Sequence, residues 1–254
     1  MAALTALAPR VFDRAPVQAS DPALLRRLDA LRERAAGRDA KGVLRLALEE
    51  AFPGKAAVVS SFGAESVVLL HLVAETDPRT PILFLNTGKL FGETLRYRDR
   101  IQEQLGLTDL RAIGPDPRDR ERLDADGTLW ARNPDACCAF RKVEPLRRAL
   151  EPFEAQITGR KRFQTAARVR MEKVELFENR FRFNPLADWT LADLTRHIET
   201  HNLPKHPLVA DGYLSIGCMP CTRRVKAGED YRDGRWSGLD KDECGIHGVD
   251  GEGI

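Results

Sequence analysis

The sequence predicts an α/β fold in which a parallel sheet is flanked by helices. Two short apolar runs, at 56–59 and 81–85, each lead into a polar loop that is followed by a helical stretch. A third short run, at 155–158, also ends in a polar loop. Strand, loop and helix in this succession are typical of parallel sheets, in which ligands bind beyond the carboxyl ends of the strands. We therefore expect a binding site where these loops meet.

The remaining segments are predicted to pack around this sheet. Residues 21–50 should form two helices, because leucines recur there at helical spacing. A strongly apolar helix is expected after the first polar loop, and an amphipathic helix over about 93–105. The pattern at 172–186 favours a short hairpin, and that at 190–200 a helix. From Gly212 onward the composition becomes glycine-rich and charged, which predicts a tail rather than a core element.

The composition is that of an ordinary globular protein, with 43% hydrophobic and 31% charged residues. A length of 254 residues suits one large α/β domain with appendages, or two small domains. Forty basic and 38 acidic residues give a net charge of +2, which indicates no polyanionic partner such as a nucleic acid. The N-terminus lacks the features of a signal peptide, and no apolar run approaches the length of a membrane span. We expect a cytoplasmic protein whose thiols stay reduced.

The five cysteines divide into a group of four and a single one. Cys137 and Cys138 are adjacent, Cys218 and Cys221 form a C-x-x-C motif, and Cys244 stands alone near the C-terminus. Four clustered thiols suit one tetrahedral metal ion or an iron–sulfur cluster. The fifth has glycines nearby and arginines upstream, and cations favour the nucleophilic thiolate form. An incidental cysteine in a disordered tail is the alternative.

Three interpretations of the cysteine group are open. Without a metal, the adjacent pair would be buried apolar residues and the C-x-x-C a redox dithiol. Zinc sites use two short C-x₂₋₄-C hooks, and adjacent cysteines are awkward ligands for one tetrahedral ion. A cubic iron–sulfur cluster is a larger body, so neighbouring thiolates can reach different irons. If 136–150 is helical, Lys142 lies on the face of Cys138, between such a cluster and a nearby anion; a solvated lysine is the alternative.

Two other features predict anion binding. The loop Ser60–Ser66 places backbone N–H groups and hydroxyls at the positive end of a helix, which favours phosphate or sulfate. It lacks the Gly-Lys-Ser/Thr of a Walker A loop, and an ordinary capped strand-to-helix turn is the alternative. Basic residues also crowd the segments 160–170 and 223–235, although a solvated charged face is the usual interpretation of such runs.

Taken together, these motifs resemble those of the assimilatory adenylyl-sulfate reductases, which are grouped with the phosphoadenylyl-sulfate reductases. The resemblance covers roughly residues 40–249, and the order and spacing of the motifs are specific to the family. They are Ser61-Phe-Gly-Ala-Glu-Ser66, Asn86-Thr-Gly88, Glu93-Thr-Leu95 with Tyr97, Cys137-Cys138 with Arg141-Lys142 and Pro145-Leu146, Ile157-Thr-Gly159, Gly217-Cys-Met-Pro-Cys221-Thr222, Arg232-Asp-Gly-Arg235-Trp236 and Glu243-Cys-Gly-Ile-His247.

The resemblance implies an adenine nucleotide alpha-hydrolase-like, Rossmann-like fold with a flexible C-terminal tail that carries the catalytic cysteine. Cys244 would attack the sulfate sulfur of adenylyl sulfate, so that AMP leaves and an S-sulfocysteine remains on the enzyme. Thioredoxin or a glutaredoxin-like dithiol would then release sulfite by thiol exchange. The resemblance places this reaction in assimilatory sulfate reduction and cysteine biosynthesis, and we expect a homo-oligomer.

The resemblance also implies the residues of the site. Cys137, Cys138, Cys218 and Cys221 would bind a [4Fe–4S] cluster, which in the family goes with adenylyl sulfate rather than its 3′-phosphorylated form. The expected substrate-binding residues are Ser60, Ser61, Phe62, Gly63, Glu65, Ser66, Leu85, Thr87, Gly88, Lys142, Gly159, Arg162, Arg168, Arg232, Arg235 and His247. The basic loop departs from the family pattern at Lys161, where an arginine is expected. A lysine there lacks the bidentate hydrogen-bonding fork of an arginine.

Three parts of the chain are expected from these features. They are an N-terminal helical extension at 1–40, a nucleotide-binding α/β domain with the iron–sulfur site at 41–222, and a mobile catalytic tail at 223–254. The alternatives are a 3′-phosphoadenylyl-sulfate reductase, an ATP-pyrophosphatase-type enzyme and a non-enzymatic iron–sulfur module. The second fits poorly, because Phe62–Ser66 lacks the Gly-Gly-x-Asp-Ser pattern of those enzymes.

Overall fold

The computed structural model describes residues 21–236 and 245–246. Within that range the strands are β1 (Ala56–Ser60), β2 (Ile82–Leu85), β3 (Leu110–Ile113), β4 (Ala155–Thr158), β5 (Val174–Phe177) and β6 (Arg180–Phe183). They form one six-stranded sheet in the order β3-β2-β1-β4-β6-β5. All neighbouring strands pair in parallel except β5, which runs antiparallel to β6 at one edge. The predicted α/β architecture is confirmed, with one antiparallel edge strand added.

Helices connect and cover these strands. In the described part of the chain they are α1 (Pro22–Ala35), α2 (Ala40–Arg45), α3 (Ser66–Thr76), α4 (Gly92–Leu105), α5 (Pro117–Asp124), α6 (Leu129–Arg132), α7 (Pro134–Cys138), α8 (Glu144–Ala149) and α9 (Leu191–Thr200). A π-helical turn, Leu46–Ala51, continues α2, and a second, Ala139–Val143, joins α7 to α8. No helix among these residues is long and apolar enough to cross a membrane.

The two faces of the sheet bury two separate hydrophobic clusters. Along β1, Ala56 and Val58 belong to the larger cluster, whereas Ala57 and Val59 belong to the smaller one. This division follows from the alternation of side chains along a strand. The larger cluster contains residues of α1 to α4 and α9, and the smaller one contains Leu146 of α8. Helices therefore cover both faces, as the unbroken apolar sequence of a central parallel strand requires.

The first helices are part of this packing. Leu28 and Leu31 of α1 are 1% and 2% exposed and lie in the same cluster as the sheet residues. The Asp21 side chain caps α1 by accepting a hydrogen bond from the Ala23 N–H at 2.8 Å. The two helices predicted within residues 21–50 are thus confirmed.

Several local predictions are also confirmed, and others are corrected. The predicted hairpin is β5–β6, and the predicted helix at 190–200 is α9, which a capping box at Thr190 opens. The segment considered as a possible helix, 136–150, is helical as far as Ala149, and the second π-helical turn lies within it. The tail predicted from Gly212 onward is wrong as far as Trp236, because Ile216 and Trp236 are 6% and 3% exposed. The sequence did not predict this packing, because the segment is glycine-rich and folds as irregular loops, which have no periodic apolar pattern.

Candidate functional site

A cleft lies at the carboxyl ends of β1, β2 and β4, where the sequence predicted a binding site. The loops that follow these strands form one side, and residues 215–218 and 231–236 form the other. The predicted residues that line the cleft are Ser60, Ser61, Gly63, Glu65, Ser66, Leu85, Thr87, Lys142, Gly159, Arg168, Arg232 and Arg235. Most of the residues expected from motifs scattered over the sequence are therefore brought to one surface.

The loop between β1 and α3 is shaped by its own short-range hydrogen bonds. The Phe62 N–H donates to the Ser60 hydroxyl at 3.2 Å, and the Ser66 N–H donates to the Gly63 carbonyl at 3.1 Å. A Cβ on Gly63 would lie 3.1 Å from the Ile216 carbonyl oxygen, so this position leaves little room for a larger residue. The loop delivers the Ser66 hydroxyl and the first turn of α3 to the cleft, an arrangement that favours an anion.

The cleft is strongly cationic. Among the described lining residues six are basic, namely Lys142, Arg160, Lys161, Arg168, Arg232 and Arg235, and one, Glu65, is acidic. Lys142, Arg160, Lys161 and Arg168 are each at most 8% exposed. The excess of basic over acidic side chains in a poorly solvated cleft suits a multiply charged anion.

Glu65 is the centre of a buried polar group at one wall of the cleft. Its Oε2 accepts hydrogen bonds from the Lys161 ammonium and, at 3.0 Å, from the Gln164 amide. Burial lowers the pKa of Lys161, and the neighbouring Glu65 carboxylate opposes that effect. The second oxygen, Glu65 Oε1, is buried without a donor at hydrogen-bond distance, although the Tyr231 side chain interacts with the same carboxylate. A buried acceptor of this kind can bind a hydroxyl or amino donor of a ligand.

Arg160, which lines the cleft, belongs to a buried network of ion pairs and hydrogen bonds. Its guanidinium pairs with the Glu175 carboxylate of β5, and both side chains are 2–3% exposed. Asn184 donates to Glu175 Oε2 at 3.0 Å and accepts from the Thr158 hydroxyl at 2.7 Å. Arg182, which is fully buried, lies 4.0 Å from the same carboxylate. Glu175 therefore offsets two buried guanidinium groups directly beneath the site.

The four clustered cysteines meet in a second, smaller cavity beside the cleft. Cys137, Cys138 and Cys218 are 8%, 6% and 7% exposed, Cys221 is half-buried, and all four line this cavity without forming a disulfide. Burial raises the pKa of Cys137 to about 12, and the nearby Cys138 adds to that effect. Lys142 lines both this cavity and the cleft.

Arg141 joins the cysteine cavity to the loop after β2. Its guanidinium pairs with Asp124 at 2.6 Å and donates to the Thr87 carbonyl at 2.7 Å. The Thr87 hydroxyl in turn lies 3.2 Å from Cys218 Sγ. The Asp124 side chain is completely buried and also accepts from the Leu129 N–H at 2.7 Å. The loop at the cleft and the wall of the cysteine cavity are therefore one hydrogen-bonded unit.

Among the described residues, no group of three or more His, Cys, Asp or Glu side chains is placed to hold a single metal ion. Thiolates around one tetrahedral zinc ion, with Zn–S bonds of about 2.3 Å, would stand only about 3.8 Å apart. The arrangement does not match a single-ion site of that kind.

Three predicted residues are not brought to the cleft, and two lie outside the described residues. The Phe62 side chain is fully buried in the core, 5.3 Å from the Phe84 ring. Gly88 lies against Arg141, and the Arg162 side chain pairs with Asp188 away from the cleft. Cys244 and His247 lie outside the described residues.

The cleft also contains residues outside the expected substrate-binding set. Arg160, Lys161, Gln164, Tyr231, Trp236 and Ile246 line it. Trp236 has a positive φ of 47° and a buried indole Nε1 without a hydrogen-bond partner. The Arg235 guanidinium lies 4.3 Å from the centre of its ring. The Arg-x-x-Arg-Trp motif pointed to this corner, but only the fold shows that the tryptophan itself faces the cleft.

Comparison with known proteins agrees with this geometry. Residues 55–224 match the family model described as the phosphoadenosine phosphosulfate reductase domain. The chain belongs to that family. An adenosine 5′-phosphosulfate reductase from Mesorhizobium japonicum is 48% identical over 226 residues, which cover 86% of this chain and 89% of that protein. One from a Chelativorans species is 52% identical, over 76% of this chain and 79% of that protein.

Two further comparisons extend this result. A phosphoadenosine 5′-phosphosulfate reductase from Gloeobacter violaceus is 42% identical, over 77% of this chain and 83% of that protein. The crystal structure of phosphoadenylyl-sulfate reductase from Candida auris superimposes with a TM-score of 0.66 at 25% identity, covering 78% of this chain and 96% of that one. The family thus includes proteins named for either nucleotide, and the choice between them rests on the site.

Proposed function

We propose that this protein is an adenylyl-sulfate reductase, which converts adenylyl sulfate to sulfite and AMP. The observation that carries the proposal is the position of Lys142, which joins a cationic strand-end cleft to a cavity lined by four cysteines. A nucleotide sulfate carries phosphate and sulfate groups side by side and therefore needs both an N–H-rich loop and several cations. The loop Ser60–Ser66 and the six basic residues of the cleft meet those needs.

The chemistry proceeds in two thiol steps. The Cys244 thiolate attacks the sulfate sulfur, a sulfur–sulfur bond forms, and the bond from sulfur to the bridging phosphate oxygen breaks with AMP as leaving group. A thiolate of an external dithiol then attacks Cys244 Sγ and expels sulfite, leaving a mixed disulfide. The second thiol of that reductant resolves it, so that the dithiol is oxidised and the Cys244 thiolate returns. Thioredoxin or a glutaredoxin-like protein fits this requirement.

The basic residues explain how two anions can meet. A thiolate that approaches a sulfate group is repelled by its charge, and buried cations oppose that repulsion most strongly where water is excluded. Lys142, Arg160 and Lys161 are almost fully buried in the cleft and held in place by the fold. They are the residues that we expect to contact the phosphate and sulfate oxygens, together with Arg168, Arg232 and Arg235.

The cysteine cavity fits a [4Fe–4S] cluster held by Cys137, Cys138, Cys218 and Cys221. Four cysteines at one cavity, none of them in a disulfide, supply the donor set that such a cluster requires. A buried Cys137 with a raised pKa is costly to ionise alone, and iron ligation offsets that cost. When bound, the cluster would supply a fixed charge and a structural cross-link beside Lys142.

The unphosphorylated nucleotide is the preferred substrate in this proposal. Relatives at 48% and 52% identity are named for it, although one at 42% is named for the 3′-phosphorylated form. Glu65, the acidic residue among the described cleft lining, has a buried acceptor oxygen that suits a hydroxyl and repels an added phosphate. We also propose a cytoplasmic homo-oligomer as the working form.

Steady-state sulfite release with each nucleotide tests this function. We expect faster turnover with adenylyl sulfate, and faster turnover with the 3′-phosphorylated form would overturn the choice. Cys244→Ser should abolish sulfite release, whereas a non-enzymatic module has no activity to lose. Iron and sulfide assays on anaerobically purified protein test the cluster separately, and stoichiometric zinc without iron would refute it. Metal-dependent ATP consumption would instead favour an ATP-pyrophosphatase.

A further inference from the structure

A short piece of the C-terminal segment packs in the cleft. Ile246 is half-buried, lines the cleft and packs against the smaller hydrophobic cluster, on the α8 side of the sheet. Val59 and Leu85 belong both to this cluster and to the cleft wall. The isoleucine therefore lies where the apolar face of the sheet meets the polar binding surface.

The preceding residue fits the same contact. Gly245 has a φ of +81°, a conformation that favours glycine. A Cβ at this position would stand 3.4 Å from Val143 Cγ2, so the backbone passes close to the π-helical turn that carries Lys142. Two successive residues are thus each suited to docking, one through its backbone and one through its side chain.

We propose that Ile246 is a positioning residue that anchors the C-terminal segment in the cleft, an inference that rests on the proposed role of Cys244. Neighbouring Cα atoms are about 3.8 Å apart, and Cys244 precedes Gly245 directly. An apolar anchor two residues after the thiol therefore limits how far the thiol can travel from the bound nucleotide. It restricts the motion of a thiol that the chain already tethers, which raises the effective concentration of the nucleophile at the bound nucleotide.

The position of the anchor favours productive docking over self-inhibition. With Ile246 in place, Ser61, Lys142 and Arg235 still line the cleft, as do the other basic residues. The isoleucine forms part of the wall and leaves the anion-binding groups accessible to substrate. The contact is also weak enough to release, because only part of one apolar side chain is buried, and the second thiol step needs release.

Variants of Ile246 test the anchor. Removing three carbons from a half-buried side chain should lower the equilibrium constant for docking about five- to tenfold. Ile246→Ala should speed hydrogen–deuterium exchange in the peptide that contains Gly245–Ile246 by that factor in substrate-free protein. It should also slow S-sulfocysteine formation, by at most the same factor because that rate follows the docked fraction, in a single turnover with saturating adenylyl sulfate and no dithiol. Ile246→Leu should restore both, and Leu191→Ala, at a 48% exposed site on α9, should change neither.

The two readouts separate this inference from the proposed function. Exchange in Ile246→Ala equal to that of the wild type, or a leucine variant as impaired as the alanine one, would refute the anchor. The exchange measurement needs no catalysis, so it decides the anchor even if the wild type forms no S-sulfocysteine. That absence would refute the proposed reaction instead.

Discussion

Replacing Glu175 by glutamine should destabilise the protein severely, because this carboxylate faces two buried guanidinium groups. Glu175 pairs with Arg160 and lies 4.0 Å from Arg182, and the three side chains are at most 3% exposed. Glutamine keeps the shape and can still accept from Asn184, so the change removes mainly the charge. Burial already lowers the pKa of Arg182, with Arg160 as a further cause, and Glu175 opposes both effects.

The expected size follows from the burial of the pair. Removing one partner of a buried ion pair costs about 3–5 kcal/mol, because the other charge is left in a low dielectric. For a chain of this size each kcal/mol lowers the thermal midpoint by roughly 2–4 °C, so the midpoint should fall by roughly 6–20 °C. Since Arg160 lines the cleft, the Michaelis constant for the nucleotide should rise as well.

Thermal unfolding followed by far-ultraviolet circular dichroism, at one scan rate, measures the shift. Glu50→Gln is the matched control, since Glu50 pairs with Arg34 and Arg38 at distances of 2.8 and 2.5 Å in an exposed position. An exposed pair is screened by water, so this variant should unfold close to the wild type. Equal midpoints for the two variants would refute the claim that the charge beneath the cleft supports the site.

Three further predictions concern the cleft wall, a helix cap and acid stability. Glu65→Gln removes the negative charge of Glu65, the acidic residue among the described residues that line the cleft. It should raise several-fold the ratio of kcat/KM for the 3′-phosphorylated nucleotide to kcat/KM for adenylyl sulfate. An unchanged ratio would show that Glu65 does not select the substrate. Thr190→Ala deletes the oxygen that accepts from the Asp193 N–H at 3.2 Å and should cost about 1 kcal/mol in urea unfolding, with Thr190→Ser neutral; an equal loss in both would contradict the cap. Burial lowers the pKa of His197 and His206 to about 4. Between pH 6.5 and 4 the unfolded chain therefore binds more protons than the folded protein, and the free energy of unfolding should fall as the pH drops. Urea midpoints that stay level across this range would contradict this prediction.

The central sheet was predictable because its strands are buried on both faces. Ala56–Val59 and Ile82–Leu85 are continuous apolar runs that end in polar loops, which makes both the strands and the binding edge visible in the sequence. The strand β3 was missed because it is an edge strand whose burial is only partial and which contains Arg111. A half-exposed strand with a charged residue has no distinctive apolar pattern.

The site was predictable where residues are neighbours in sequence and less so where the fold joins distant ones. The cysteine motifs and the loop Ser60–Ser66 were recognisable from spacing. The pairing of Arg160 with Glu175 and of Lys161 with Glu65 depends on strand order and loop packing, which spacing does not reveal. The family resemblance implies a substrate contact for Phe62, yet the structure buries its ring fully in the hydrophobic core.

The most direct test of the account is to locate the sulfonate group after reaction with adenylyl sulfate in the absence of any dithiol. Peptide mass spectrometry of the wild type should find one added sulfonate on Cys244 and none on Cys137, Cys138, Cys218 or Cys221. A stable adduct on any of those four thiols, or AMP release from a Cys244→Ser variant at the wild-type rate, would contradict the division of roles between the single cysteine and the group of four.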